Sequence, residues 1–276
     1  MNKNYFVFSV TCLCLFLAAG ISFASSLNLF ADKQGIIKIA GGTAHIPVMK
    51  EAARRIMTLN PKIVITIAGG GSGLGIKQVG EDLVDIGNSG RKAKEEEQKR
   101  YNLKMFKWAI DGVGIVVNPD NPVNSLSLSQ LKDIFSGKIN NWKIFGGPDH
   151  NITLYTRDES SGTRAVFWKK GLGKGSIYKK ALFVPSNGAM KTAVANDPYG
   201  IGYVSIGHMD KSVSPVALDG VRPSLENVKQ GKYLIARGLY SNTSGEPKDL
   251  SRLFIDYLFS PEGQQIAREK GFISVK

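Results

Sequence analysis

The run Arg157-Asp158-Glu159-Ser160-Ser161-Gly162-Thr163-Arg164 concentrates chemistry suited to an anion. An arginine presents two parallel N–H donors whose spacing matches two oxygens of a carboxylate or tetrahedral oxyanion. Ser161, Gly162 and Thr163 follow closely, offering hydroxyls and backbone N–H groups where a helix should begin. The same residues would also serve as a plain N-cap with a surface ion pair from Arg157 to Asp158 or Glu159, but their combined spacing favours anion capture. Two further loops are of similar kind. Ala40-Gly41-Gly42-Thr43-Ala44 offers backbone donors and the Thr43 hydroxyl, or simply a turn that Thr43 caps. Gly69-Gly70-Gly71-Ser72-Gly73 leaves Ser72 among bare backbone N–H groups. It is not a nucleotide P-loop, since Ile76 and Lys77 follow Gly75 where Gly-Lys-Ser/Thr is required. No register fits the dinucleotide fingerprint, and Leu74 stands where a hydrolase elbow needs glycine.

Asp85, in Val84-Asp85-Ile86-Gly87-Asn88-Ser89, is the acid set against these donors. It could cap a turn. Facing the same anion, it would act as a proton test, because an ionised carboxylate only accepts hydrogen bonds. Protonated phosphate could donate to it, whereas sulfate could not.

These loops need strands and helices to hold them. Apolar β-rich runs at 36–40, 63–68, 84–87, 108–117, 152–156, 201–204 and 233–240 read as strands. Segments 47–57, 74–80, 92–100, 127–135, 163–170, 250–258 and 261–269 read as helices. Such alternation predicts an α/β fold with mostly parallel sheets, whose ligands sit beyond the carboxyl ends of the strands. All three glycine- or serine-rich loops directly follow expected strands.

The N-terminus carries Lys3, an apolar run from Phe6 to Ala19, and Ser22-Phe23-Ala24 as a small-x-small exit. That pattern is a secretory signal peptide with cleavage expected after Ala24. Both cysteines, Cys12 and Cys14, fall inside it, leaving the exported chain without disulfides or thiolate metal sites. The net charge of +13 is scattered and accompanies no nucleic-acid-binding signature, so nucleic acid is not an expected partner.

Together these segments resemble the phosphate-binding proteins of bacterial phosphate ABC importers. The resemblance is carried by Ala40 to Thr43, Ile65 to Gly73, Val84 to Ser89 and Arg157 to Thr163. It extends to Asp133-Ile134-Phe135-Ser136-Gly137-Lys138-Ile139 with Asn141-Trp142, to Gly200-Ile201-Gly202-Tyr203, and to Ser260-Pro261-Glu262-Gly263-Gln264. It implies a type II periplasmic-binding-protein fold, two α/β domains joined by two crossing strands. By that likeness residues 25–110 with 223–276 form one domain and 111–222 the other. It further implies that Thr43, the Ala44 backbone, Ser72 and Asp85 bind phosphate from one domain, and Arg157, Ser161, Gly162 and Thr163 from the other. Some relatives carry a bulky aromatic where Ala44 stands, and glycine is common where Ser160 stands. The implied protein is a periplasmic monomer without cofactor or metal, delivering inorganic phosphate to the membrane permease subunits of an ABC importer. The alternatives are a binding protein for another tetrahedral oxyanion, a surface adhesin or signalling partner on the same clamp, and an exported phosphomonoesterase. His45, His150 and His208 form no metal-binding spacing that would favour the enzyme.

Overall fold

The computed structural model describes residues 25–275, so the expected signal peptide at 1–24 lies outside the described residues. The chain begins with β1 (Gly35–Gly41), α1 (Ile46–Leu59), β2 (Ile63–Gly70), α2 (Ser72–Gly80), β3 (Ile86–Ser89) and α3 (Glu95–Arg100). The long β4 (Leu103–Val117) leads to β5 (Ser125–Leu126), α4 (Leu128–Ser136), β6 (Thr153–Thr156), α5 (Gly162–Val166) and β7 (Leu182–Phe183). Next come α6 (Asn187–Ala195), β8 (Gly200–Ser205), β9 (Ser214–Leu218) and α7 (Leu225–Lys229). β10 (Ala236–Ser244) returns the chain to α8 (Asp249–Phe259), α9 (Pro261–Glu269) and β11 (Ile273–Ser274).

Hydrogen bonding links the strands in the order β2-β1-β3-β10-β4-β8-β6-β7, with β11 and β9 also paired to β4 and β5 paired to β9. β2, β1 and β3 are parallel, as are β8, β6 and β7, while β10 and β4 run antiparallel to their neighbours. The α/β class expected from the alternation is the one found. Two apolar cores form, one on each side of the β4–β10 pair. The first gathers Ile37, Ile39, Val48, Ile56, Trp108, Leu239, Phe254 and Phe272. The second gathers Val113, Ile115, Phe135, Trp142, Phe167, Tyr203 and Val216. β4 serves both, burying Trp108 and Ala109 in the first core and Val113 to Val117 in the second. Each core thus defines a lobe, and β4 and β10 cross between them.

Val228, Tyr233 and Ile235 pack with the second core, later in the chain than the crossing expected at 223. The Tyr233 hydroxyl donates to the Val113 carbonyl at 2.9 Å and Val113 N–H donates to Ile235 O at 2.8 Å, which holds this segment alongside β4.

Local signals account for several boundaries. Ser127 and Gln130 close a reciprocal capping box on α4, and Gly137 ends it at φ 81°, a left-handed conformation that glycine adopts without a Cβ penalty. Ser260 caps α9 ahead of Pro261, a first-turn proline that forfeits no helical hydrogen bond. In the second core Phe167 and Tyr203 stack at 4.1 Å between ring centroids, with Phe135 edge-on to Phe167 at 4.7 Å. That packing fixes the Tyr203 ring, whose hydroxyl reaches the loop after β6.

Candidate functional site

The loops that follow β1, β2, β3 and β6 converge between the lobes. With Arg237 from β10 they line a small, narrow cavity. Gly42, Thr43, Ala44, Gly71, Ser72 and Gly90 line it from the first lobe, and Arg157, Ser161, Gly162 and Thr163 from the second. Seven of the eight residues expected at the site are therefore brought together: Thr43, Ala44, Ser72, Arg157, Ser161, Gly162 and Thr163.

Asp85 is not among them. It is exposed, precedes β3 rather than ending it, and lines a separate surface groove with Asp82, Val84, Thr243, Glu246 and Lys248. The reason is register. β3 pairs parallel to β1 with Ile86 opposite Ile39 and Asn88 opposite Gly41, so the cavity lies past Ser89 while Asp85 lies at the other end of the strand. There its Oδ2 accepts the Lys38 N–H at 2.7 Å and its own N–H donates to Lys38 O, closing the start of the β1–β3 pair. It cannot test a proton in the cavity. Asp85→Asn is accordingly expected to leave anion affinity within about 0.5 kcal/mol of the parent, as for other surface substitutions. Titration calorimetry checks this, and a tenfold change in Kd would return Asp85 to the site.

The positioning of each group follows from its element. Arg157 begins the loop after β6, and its N–H donates to the Tyr203 hydroxyl at 3.0 Å. Its side chain is only 1% exposed, donates from Nη2 to Pro185 O at 2.9 Å, and leaves Nε without a partner among the described residues. Among the described residues no carboxylate lies within salt-bridge distance of it, while burial pulls its pKa below the usual value. A buried cation without a counter-ion, aimed at a cavity, is a site built for an anion.

Ser161 caps α5 by accepting Arg164 N–H at 3.2 Å, so Gly162 and Thr163 occupy the first helical positions, where backbone N–H groups lack intrahelical partners. Gly71, at φ 90°, turns the chain so that α2 begins at Ser72, two residues before the expected start. Ser72 Oγ accepts Gly90 N–H at 2.9 Å.

The lobes touch directly around the cavity. Ser160 Oγ donates to Gly70 O and Ser160 O accepts from Gly73 N–H, each at 2.9 Å. The Asn187 backbone N–H and side-chain amide, on α6, both donate to Thr43 Oγ1, at 3.2 and 3.0 Å. A Cβ at Gly162 would stand 2.1 Å from Ser72 Oγ, so only glycine allows this approach. The clamp is closed.

Sequence reasoning missed Arg237, Asp111, Asn187 and Gly90. Arg237 and Asp111 lie directly opposite each other on β10 and β4. Arg237 Nε donates to Asp111 Oδ2 at 2.9 Å, Nη2 lies 2.8 Å from the same oxygen, and Nη1 donates to Thr163 Oγ1 at 3.0 Å. Asp111 is fully buried; desolvation pushes its carboxyl up and the Arg237 guanidinium pulls it back. The available signal was an acid inside an otherwise apolar strand, since such a group is buried only with a partner. His45 is also buried, its Nδ1 3.0 Å from the Gly42 carbonyl it steadies, and desolvation lowers its pKa to about 3.

Comparison with known proteins gives a consistent set of relatives. A model of the PBP superfamily domain matches residues 30–262. The phosphate-binding protein PstS of Bacillus subtilis (strain 168) is 39% identical over 244 residues, spanning 87% of this chain and 81% of that protein. PstS of Borreliella burgdorferi is 29% identical over 259 residues, spanning 89% of this chain and 92% of that protein. Among solved structures, a phosphate ABC transporter substrate-binding protein from Clostridium perfringens with bound phosphate matches at TM-score 0.83 and 35% identity, over 88% of this chain and 100% of that one. An ABC-type phosphate transport receptor from Vibrio cholerae matches at TM-score 0.69 and 33% identity, over 86% of this chain and 99% of that one.

Proposed function

This chain belongs to the phosphate-binding protein family of the PBP superfamily, and on that premise we propose that it captures inorganic phosphate between its lobes for an ABC importer. Its fold is that of the type II periplasmic binding proteins, and its relatives are binding proteins rather than enzymes. The observation that carries the reading is Arg157, a buried cation without a counter-ion, facing hydroxyls drawn from both lobes. Thr43, Ser72, Ser161 and Thr163 supply those hydroxyls, and the backbone N–H groups of Ala44, Gly162 and Thr163 complete the cage. Arg237 adds a second guanidinium. Donors held in place within each lobe by its own loops and helix starts lower the ordering cost that flexible donors would incur.

Residues 25–110 with the C-terminal segment, and the segment from 111 to the start of β10, act in this proposal as two bodies hinged on β4 and β10. Ligand would enter with the Ser160–Gly70 and Asn187–Thr43 contacts broken and be trapped when they form. Permease subunits of the importer then receive the closed form. Export through residues 1–24 accords with Ser25, which is pinned at the other end: its Oγ donates to Glu262 Oε1 at 2.5 Å and Leu27 N–H donates to Oε2 at 3.2 Å.

Titration of anion-stripped protein with phosphate, and separately with a phosphate monoester, tests the proposal. Saturable binding of phosphate and no release of phosphate from the ester are expected. Ester turnover, or no heat with phosphate, would overturn it. One observation favours a second reading, a binding protein for another tetrahedral oxyanion: no carboxylate is among the residues lining the cavity.

A further inference from the structure

Each side-chain hydroxyl lining the cavity already accepts a hydrogen bond from a protein N–H. Thr43 Oγ1 accepts from the Asn187 backbone N–H at 3.2 Å and from its Nδ2 at 3.0 Å. Thr163 Oγ1 accepts from Arg237 Nη1 at 3.0 Å and from Asn187 Nδ2 at 3.5 Å. Ser72 Oγ accepts from Gly90 N–H and Ser161 Oγ from Arg164 N–H, at 2.9 and 3.2 Å. The Asn187 amide is not free to turn round, because its Oδ1 accepts Ser205 N–H at 2.9 Å. A hydroxyl has one proton and two lone pairs. With lone pairs engaged by protein donors, its proton is left to point at the ligand. The two arginines have donors and no acceptor. The nearby carboxylates do not line the cavity: Asp111 holds Arg237 through Oδ2, its Oδ1 finding no partner among the described residues, and Asp158 Oδ1 accepts from Ser160 N–H.

We propose that the cavity is a donor-only cage that selects its anion by unprotonated oxygens, so that it takes phosphate as the dianion in preference to the monoanion and admits sulfate as a genuine competitor. A monoanion brings two O–H groups into a shell with few lone pairs left to receive them, and a proton facing a donor repels it. Sulfate brings none. This rests on the reading of the protein as a phosphate binder, and it reverses the selectivity that an acid in the cavity would have given.

The ionisable groups facing the cavity from the elements around it are Arg157, Arg237 and, behind it, Asp111. Asp158, Arg164, Tyr203, His45 and His208 stand in the next layer. Burial holds His45 at about 3 and His208 at about 4 and pushes Tyr203 up to about 12. These three therefore keep one charge state between about pH 6 and about pH 8.

Sulfate, fully deprotonated across that window, is the internal control. Phosphate and sulfate are each titrated into the anion-stripped protein at about pH 6 and about pH 8, and sulfate is then competed against phosphate. For phosphate, the apparent Kd should weaken about tenfold for each tenfold fall in the dianion fraction. Sulfate affinity should stay flat, and sulfate should displace phosphate. A phosphate Kd that is flat or tighter in acid overturns the cage, as does a parallel shift of both anions or a failure of sulfate to compete. Sulfate bound without pH dependence and phosphate not bound at all would uphold the cage and reject the phosphate reading. Binding of neither anion rejects both.

Discussion

Arg157→Ala is expected to weaken phosphate binding by about 2–5 kcal/mol, roughly 30-fold to 5,000-fold in Kd. The magnitude follows from what the side chain lacks as much as from what it has. It is 1% exposed, and among the described residues no carboxylate lies within salt-bridge distance of it. Among the described residues its side chain donates to the Pro185 carbonyl alone, and Nε has no partner. A bound oxyanion would supply the counter-charge and the missing acceptors together. Losing the guanidinium leaves the anion to Arg237 and neutral donors. Arg157→Lys keeps the charge and loses the fork, so it should fall between the two. Calorimetry on all three proteins measures this. The unliganded Arg157→Ala protein should unfold no more easily in urea than the parent, because a buried cation without a counter-ion is itself unfavourable. Unchanged affinity would remove Arg157 from the site.

The second large effect concerns the strands that cross between the lobes. Asp111→Ala should destabilise the phosphate-free protein by about 3–5 kcal/mol, the usual result of removing one member of a buried ion pair. Arg237 is 7% exposed, and without Asp111 its charge would face Thr163 and the cavity uncompensated. Urea unfolding in phosphate-free buffer reads the loss. Added phosphate should restore more stability to this variant than to the parent, since the ligand then supplies the only counter-charge to two guanidinium groups. A loss below about 1 kcal/mol, the typical cost of an ordinary substitution, would mean that the pair does not hold the crossing strands together.

Much of this architecture is readable from short stretches of sequence. Apolar β-rich runs place the strands and the order of the loops after them, although β1 runs on to Gly41 and β2 to Gly70, one and two residues past the expected ends, while β6 stops at Thr156 as expected. Serine ahead of a helical run fixes caps such as Ser127, Ser161 and Ser260 through bonds that span only three residues. Boundaries set by neighbours drifted by a few residues. The return strand expected at 233–240 runs Ala236–Ser244, because pairing with β4 rather than local composition decides where it begins.

For one residue such a drift decided on which side of the sheet end it sits relative to the cavity. The strand expected at 84–87 is Ile86–Ser89, and those two residues move Asp85 from the cavity end to the far end. Nothing near Asp85 in the sequence distinguishes the two placements, since only pairing with β1 sets the register.

The chemical types lining the cavity were thus determined by sequence: an arginine, hydroxyls and exposed backbone after strands. Its polarity was decided by the tertiary structure. Asp111 and Arg237 are 126 positions apart and meet only because β4 and β10 pair. Thr43 and Asn187 are 144 apart and meet only across the closed cleft. A hydroxyl can donate or accept until a neighbour occupies its lone pairs, and here those neighbours come from other segments of the chain.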